Sequence, residues 1–324
     1  MRVGIVGAGI AGIACALRLK ERGVESVVFE KAPTAGGRIS TQTKGGYTWD
    51  KGATSIAPRG KQIEQYLLGP NFDDSRVHIS QPIGVHNGHR ISRGSSDRNR
   101  APRYCFIPGN QVFPIGLTAG LDVRYLTTVE EVEVRDGKYF VGEEGFEKLV
   151  LATTIPQANR LLTLIGETRP ISSVAYRACI SVQLGFEIPN PEVPFHALIE
   201  PEQVHPLTWL SFESIKSPGR APEGCCALVA QLSARFSADN FDKADDFLVA
   251  TATLMVRQLL GPKFDKPAES SVKKWRLSQP ENIARFEAVN LPGSNVFVAS
   301  DGLLGGRTED AFQCGTMVAE MISA

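Results

Sequence analysis

The sequence lacks net charge: 35 Lys and Arg face 35 Asp and Glu among 324 residues. A balanced chain has no global field to gather nucleic acid or an anionic membrane surface, so neither is expected as a partner. No apolar run reaches about 18 residues, so no membrane span is expected. Met1 to Leu19 superficially resembles a secretory leader, but three spaced glycines break it and Lys20, Glu21 and Arg22 follow, which reads instead as strand, turn and helix. The six cysteines, at 15, 105, 179, 225, 226 and 314, form no Cys-x-x-Cys pair, which excludes a zinc knuckle or thioredoxin-type site. They read as reduced thiols of a cytoplasmic protein. The five histidines show no metal-ligand spacing; His86 and His89 flank Asn87-Gly88, a hairpin turn. There is no internal repeat or low-complexity tract. With 42% hydrophobic and 22% charged residues, the chain can bury a sizeable core as one large or two intimate domains.

The first thirty residues carry the clearest signal. Arg2 to Val6 is a short apolar strand, Gly7-Ala8-Gly9-Ile10-Ala11-Gly12 follows, and a helix runs from about Ile10 to Arg22, ended by Gly23. Val27-Val28-Phe29 is a second strand with Glu30 at its end. Gly7 permits the tight turn, Gly9 lets a pyrophosphate approach the backbone, and Gly12 lets helix and strand pack closely. The helix start offers free N–H groups and partial positive charge to phosphates. Glu30, 18 residues after Gly12, can accept hydrogen bonds from adenosine ribose hydroxyls. Gly36 and Gly37 allow a flat loop, and Arg38 can pair with the pyrophosphate.

With Glu30-Lys31, Gly36-Gly37-Arg38 and Asp50-Lys51-Gly52-Ala53 in this order, the sequence resembles the flavin-dependent amine oxidase superfamily. The resemblance implies FAD as cofactor. It extends to the C-terminus, where the strand Val296 to Ala299 ends in Ser300-Asp301-Gly302 and a helix begins near Thr308, read as its N-cap. By resemblance Asp301 binds the ribityl chain, and the helix points its positive end at the flavin pyrimidine; Ser300 departs from the usual glycine. The implied cofactor contacts are Gly7, Ala8, Gly9, Ile10, Ala11, Gly12, Glu30, Lys31, Gly37, Arg38, Ala53, Thr54, Val129, Asp301 and Ala311. Val129 would meet the adenine through its backbone.

The expected fold is α/β: a discontinuous Rossmann-type FAD-binding domain (1–60, 105–170 and 274–324) with a second, α+β substrate domain (61–104 and 171–273) carrying an antiparallel sheet. Strands are expected at Cys179–Phe186 and Ala227–Leu232, a helix at Asp245–Leu260, and a returning strand from Lys273. Ser173 to Tyr176, Lys274-Trp275-Arg276 and Gly305-Gly306-Arg307 resemble the renalase branch. That branch implies hydride transfer from a dihydronicotinamide isomer to FAD, with oxygen as acceptor. Hydride transfer needs little acid–base help, so few catalytic residues are named: Trp275 as a wall near the flavin, and Thr54 as a substrate contact. Arg90, Arg93, Arg98, Arg100 and Arg103 form a polar loop that reads as solvated, with phosphate clamping as the alternative. Other function classes left open are an FAD amine oxidase or desaturase, and a flavin-binding protein without turnover.

Overall fold

The computed structural model describes residues 1–324. A five-stranded parallel sheet is ordered Val296–Val298, Lys148–Leu151, Arg2–Val6, Glu25–Phe29, Asp122–Arg124. Its central strands are almost wholly apolar because both faces are covered: the first helix lies on one, and on the other a three-stranded antiparallel sheet, Glu133–Arg135, Lys138–Val141 and Glu144–Phe146, sets Phe146 against Gly4 and Phe29. The first helix, Ile10–Glu21, is buried along most of its length and packs on the C-terminal helix, Thr308–Ser323. Their approach is set by Gly315, where a Cβ would fall 2.0 Å from the Ala11 carbonyl oxygen. A Cβ on Gly12 would fall 2.0 Å from the Gly7 carbonyl oxygen, so that glycine lets the helix start lie close to the loop after the first strand. The helix from Thr308 takes Arg307, not Thr308, as N-cap, and the Asp310 carboxylate accepts the Arg307 N–H at 3.0 Å.

A seven-stranded sheet forms the second layer, ordered Glu269–Pro280, Tyr176–Phe186, Cys226–Leu232, Leu207–Phe212, Ala197–Ile199, Ile83–His86, Ile91–Arg93. Pairing is antiparallel except between Ala197–Ile199 and Ile83–His86. The helix Asp245–Leu260 buries Leu248, Ala252, Met255, Val256 and Leu259, one apolar stripe at helical spacing, against this sheet. Cys226 is buried in the core of this layer, and Cys225, just before the strand, is half-buried against the Tyr47 and Trp49 cluster.

Two features tie the layers together. The hairpin Thr41–Lys44 and Tyr47–Asp50 packs Tyr47 and Trp49 against Ala227 and Val229, and the Trp49 indole donates to the Leu184 carbonyl at 3.2 Å. The long strands Tyr176–Phe186 and Glu269–Pro280 run together from the second layer to the first, bending at an irregularity between Arg177 and Cys179. The short helix Lys61–Leu67 differs from its expected allegiance. Ile63, Leu67 and Phe72 bury themselves in the core of the parallel-sheet layer, beside the C-terminal helix.

Candidate dinucleotide site

The loop after the first strand has the geometry its glycines require. Gly7 has φ +109°, and a Cβ there would lie 2.6 Å from the Ala152 carbonyl oxygen. Gly9 differs: nothing lies within 4 Å of its Cβ position, so its face is open. Glu30 is buried, its carboxylate accepting the Ala8 N–H at 2.9 Å and the Ala32 N–H at 2.8 Å. These bonds fix the carboxylate at the edge of the glycine loop. Gly36 and Gly37 both take positive φ, and the Gly36 N–H donates to the Ala8 carbonyl at 2.9 Å, which lays their loop on the first one.

Arg38 and Asp301 meet. The guanidinium Nη1 is 2.7 Å from Asp301 Oδ2, and Asp301 is only 4% exposed. The other oxygen, Oδ1, accepts from the Tyr176 hydroxyl at 2.9 Å and from the Gly302 N–H at 3.1 Å. Burial first, and then the Asp301 charge, push the Tyr176 hydroxyl up to about 12, so it stays a donor. Residues from both ends of the chain thus meet at one place: Arg38, next to the loop of Gly36 and Gly37 that lies on the first glycine loop, and Asp301 from the C-terminal turn.

The Asp50 to Thr54 segment closes a further side. Ala53 N–H donates to the Arg38 carbonyl at 3.1 Å, and a Cβ on Gly52 would fall 1.9 Å from that same oxygen. Trp275 stands against this turn, its indole donating to the Lys51 carbonyl at 3.1 Å, with the Lys273 ammonium 4.8 Å over its ring. Thr54 is buried, and its carbonyl accepts from Lys216 at 2.7 Å. Val129 lines a cavity of about 550 Å³ with Phe29, Arg124, Thr127 and Thr128, next to the strand that ends in Glu30. Ile10 and Ala11 are buried in the first helix, Ala311 is half-buried on the last, and Lys31 is exposed beside Glu30.

A fully buried charge quartet under this wall was not legible in the sequence. Asp50 Oδ2 lies 2.9 Å from both Lys216 Nζ and Arg220 Nη2, and Lys216 is 2.7 Å from Glu213 Oε1, all with zero side-chain exposure. Asp50 Oδ1 accepts from the Asn110 N–H and the Thr41 hydroxyl, both at 2.7 Å. Burial opposes ionisation of Asp50, but the charges of Lys216 and Arg220 outweigh it and hold the carboxyl below its ordinary value. Asp50 stood in a noted motif; its partners sit more than 160 positions away, on and just after the short helix Glu213–Lys216.

These residues fit a dinucleotide. The open face at Gly9 lies at a helix N-terminus, an acidic side chain marks the adenosine end, and an arginine with a buried aspartate marks the other. Residues 84–323 match the family described as flavin containing amine oxidoreductase, and residues 5–67 match an NAD(P)-binding Rossmann-like domain. The chain belongs to the flavin containing amine oxidoreductase family. Its cofactor is therefore FAD, and the glycine loop and Glu30 suit the adenosine half.

Among curated relatives, a zeta-carotene-forming phytoene desaturase from Myxococcus xanthus is 38% identical over 149 residues, which is 42% of this chain and 27% of that protein. Protoporphyrinogen oxidase 2 of Arabidopsis thaliana is 36% identical over 66 residues, 20% of this chain and 13% of that one. The matched regions thus span little more than a quarter of these relatives at most. Among solved structures, cyclohexylamine oxidase from Brevibacterium oxydans IH-35A superposes with a TM-score of 0.78 at 13% identity, covering 99% of this chain and 98% of that one. A putative protoporphyrinogen oxidase from Exiguobacterium sp. 255-15 gives 0.74 at 13% identity with the same coverage. At that identity the likeness concerns the fold.

No helix is long and apolar enough to cross a membrane, and no group of three or more His, Cys, Asp or Glu could hold a metal ion. All six cysteines are free. Burial pushes the thiol of Cys105 up to about 11 and those of Cys179, Cys226 and Cys314 up to about 12, so none is a ready nucleophile.

Proposed function

We propose that the chain is an FAD-dependent oxidase of renalase type, which oxidises a dihydronicotinamide isomer at the cleft between Arg38, Asp301 and Trp275. The observation that carries this reading is the charge of the cleft. The Trp275 face is covered by the Lys273 ammonium at 4.8 Å, and the Tyr176 face by Arg38 at 5.8 Å, whose own charge is met by Asp301. An alkylammonium substrate would meet cations where it needs open aromatic faces. Burial, with the nearby Lys273 charge, lowers the pKa of Lys51 at the same wall. A neutral, electron-rich dihydropyridine ring meets no such repulsion.

FAD held by the glycine loop, Glu30, Arg38 and Asp301 would supply the hydride acceptor and the route for two electrons to oxygen. Overall, the substrate would lose one hydride to become a pyridinium, and oxygen would gain that hydride and one solvent proton to become hydrogen peroxide. The chain's part is orientation. Trp275 and the Gly52–Thr54 turn form a wall, the quartet beneath fixes that turn, and no side chain need exchange a proton with the ring. Six free thiols support a reducing, cytoplasmic setting. A desaturase reading is favoured by the 38% identity to the phytoene desaturase segment.

An anaerobic panel separates these readings. The FAD-loaded protein is mixed with dihydronicotinamides reduced away from the usual ring position, with simple amines, and with apolar polyenes. Bleaching of the flavin band by the nicotinamides, followed by peroxide when oxygen is admitted, is the expected result. Bleaching by amines or polyenes but by no nicotinamide overturns the proposal.

A further inference from the structure

Four arginines gather over the start of the C-terminal helix. The backbone bridge between Ile56 and Tyr104, with both N–H···O bonds at 2.8 Å, sets Arg103 beside the segment leading to Arg59. A Cβ on Gly60 would fall 2.6 Å from Glu309 Oε1, so Arg59 stands on the first turn of that helix, which Arg307 caps. Arg98 joins from its loop, where its carbonyl accepts from Arg103 Nη2 at 3.2 Å. Arg307 lies six residues beyond Asp301, the carboxylate paired with Arg38, and the turn between them is closed by Gly305 N–H donating to the Asp301 carbonyl at 2.9 Å.

None of these four guanidiniums has a carboxylate within 4.0 Å, although most other arginines of the chain do. Arg103 is half-buried, and its Nε is buried without a hydrogen-bond partner. Burial, and then the like charges of Arg59, Arg307 and Arg98, pull its guanidinium below the ordinary arginine value. Two acids lie nearby: Asp310 accepts the Arg307 N–H at 3.0 Å, and Glu309 shares the field of Arg59 and Arg307, yet neither carboxylate comes within 4.0 Å of a guanidinium of the group. In a chain with equal numbers of acids and bases, a group of four guanidiniums without an ion pair is a local feature, not a consequence of composition. Arg100 shows the contrast: it is on the same loop, its side chain is 82% exposed, and it is paired with Asp97 at 2.6 Å.

We propose that Arg59, Arg98, Arg103 and Arg307 form an anion subsite that holds the phosphate of a nucleotide substrate at the mouth of the flavin cleft. Planar guanidiniums suit phosphate because each can offer two parallel N–H donors. The identity of the nucleotide rests on the dihydronicotinamide reading; the affinity for phosphate does not. The subsite would place the charged end of the substrate over the helix start and leave its ring free to lie along the Trp275 wall.

Two measurements test the two parts separately. First, inorganic phosphate is titrated calorimetrically into the FAD-loaded protein at low salt, where the cofactor already fills the pyrophosphate cradle. One saturable site per chain is expected, weakened roughly tenfold or more in Arg98→Gln and in Arg103→Gln and unchanged in Arg100→Gln. Absence of saturable binding, or equal binding by all three variants, overturns the subsite. Arg59→Gln and Arg98→Gln keep the test decisive if the half-buried Arg103 is needed for folding. Second, KM is compared for a dihydronicotinamide mononucleotide and its phosphate-free riboside. Arg98→Gln is expected to raise KM for the mononucleotide by roughly tenfold, with the riboside unaffected and kcat within about twofold. Equal KM values for the two substrates in the unaltered protein show that the cluster holds only free phosphate and overturn its role toward substrate. Turnover of neither substrate, with phosphate binding lost in Arg98→Gln, refutes the dihydronicotinamide reading while supporting the subsite.

Discussion

Replacing Lys216 by Met should cost the fold a large share of its stability. Lys216 places its ammonium against three acceptors: Asp50 at 2.9 Å, Glu213 at 2.7 Å and the Thr54 carbonyl at 2.7 Å. Asp50, Glu213, Lys216 and Arg220 sum to zero charge with no solvent exposure. Removing one cation leaves two buried carboxylates sharing Arg220. Breaking a buried pair from one side costs about 3–5 kcal/mol, against a total of about 5–15 kcal/mol for a native protein. The assay is denaturant unfolding at saturating FAD, extrapolated linearly. The double variant Lys216→Met/Glu213→Gln restores neutrality, and should be more stable than the sum of the single changes by at least about 1 kcal/mol. A Lys216→Met variant within about 1 kcal/mol of the parent, or strict additivity in the cycle, would refute the claim that the quartet acts as one charge-balanced unit.

Gly315→Ala should destabilise by about 1–3 kcal/mol, because the new methyl must displace the Ala11 carbonyl or part the two helices; thermal unfolding reads it. Acid should weaken the fold from about pH 6.5 downward. Burial pushes His86 and His196, each 1% exposed, down from 6.5 to about 4. The unfolded chain then binds protons that the native one refuses, so stability is full above pH 6.5 and falls toward pH 4, by up to about 3 kcal/mol per histidine. Asn at position 86 and Gln at 196 should flatten that slope, read as unfolding free energy against pH. Trp275→Phe forfeits the bond to the Lys51 carbonyl and should lower kcat/KM by roughly tenfold or more while FAD remains bound at full stoichiometry.

What the sequence disclosed and what it concealed divide by range. The strand, glycine loop and first helix are specified within thirty contiguous residues, and the structure has them within a residue or two. The helix Asp245–Leu260 was equally plain from its apolar stripe. The end of the C-terminal helix nearest the cleft was misjudged by one residue, because a threonine followed by two acids looks like a cap and Arg307 does not. Lys61–Leu67 followed a loop-like stretch, and nothing local showed that Ile63 and Leu67 face the parallel-sheet core. The quartet was hidden for a different reason. Charges in a turn normally meet water, and only the tertiary approach of the hairpin at Asp50 to the segment at Lys216 buries them. Tyr176 escaped notice as a partner of Asp301 for the same reason, the two being 125 positions apart.

The account rests on one cleft built from both ends of the chain, and FAD titration of the apoprotein measures that directly. Gly9→Ala adds a methyl that touches nothing in the protein, so its unfolding free energy should stay within about 0.5 kcal/mol of the parent. Asp301→Asn removes the charge that Arg38 meets at 2.7 Å. Both variants should bind FAD at least about tenfold more weakly, one through the N-terminal loop and the other through the C-terminal turn. Parent-like FAD affinity in either folded variant would contradict the shared cleft.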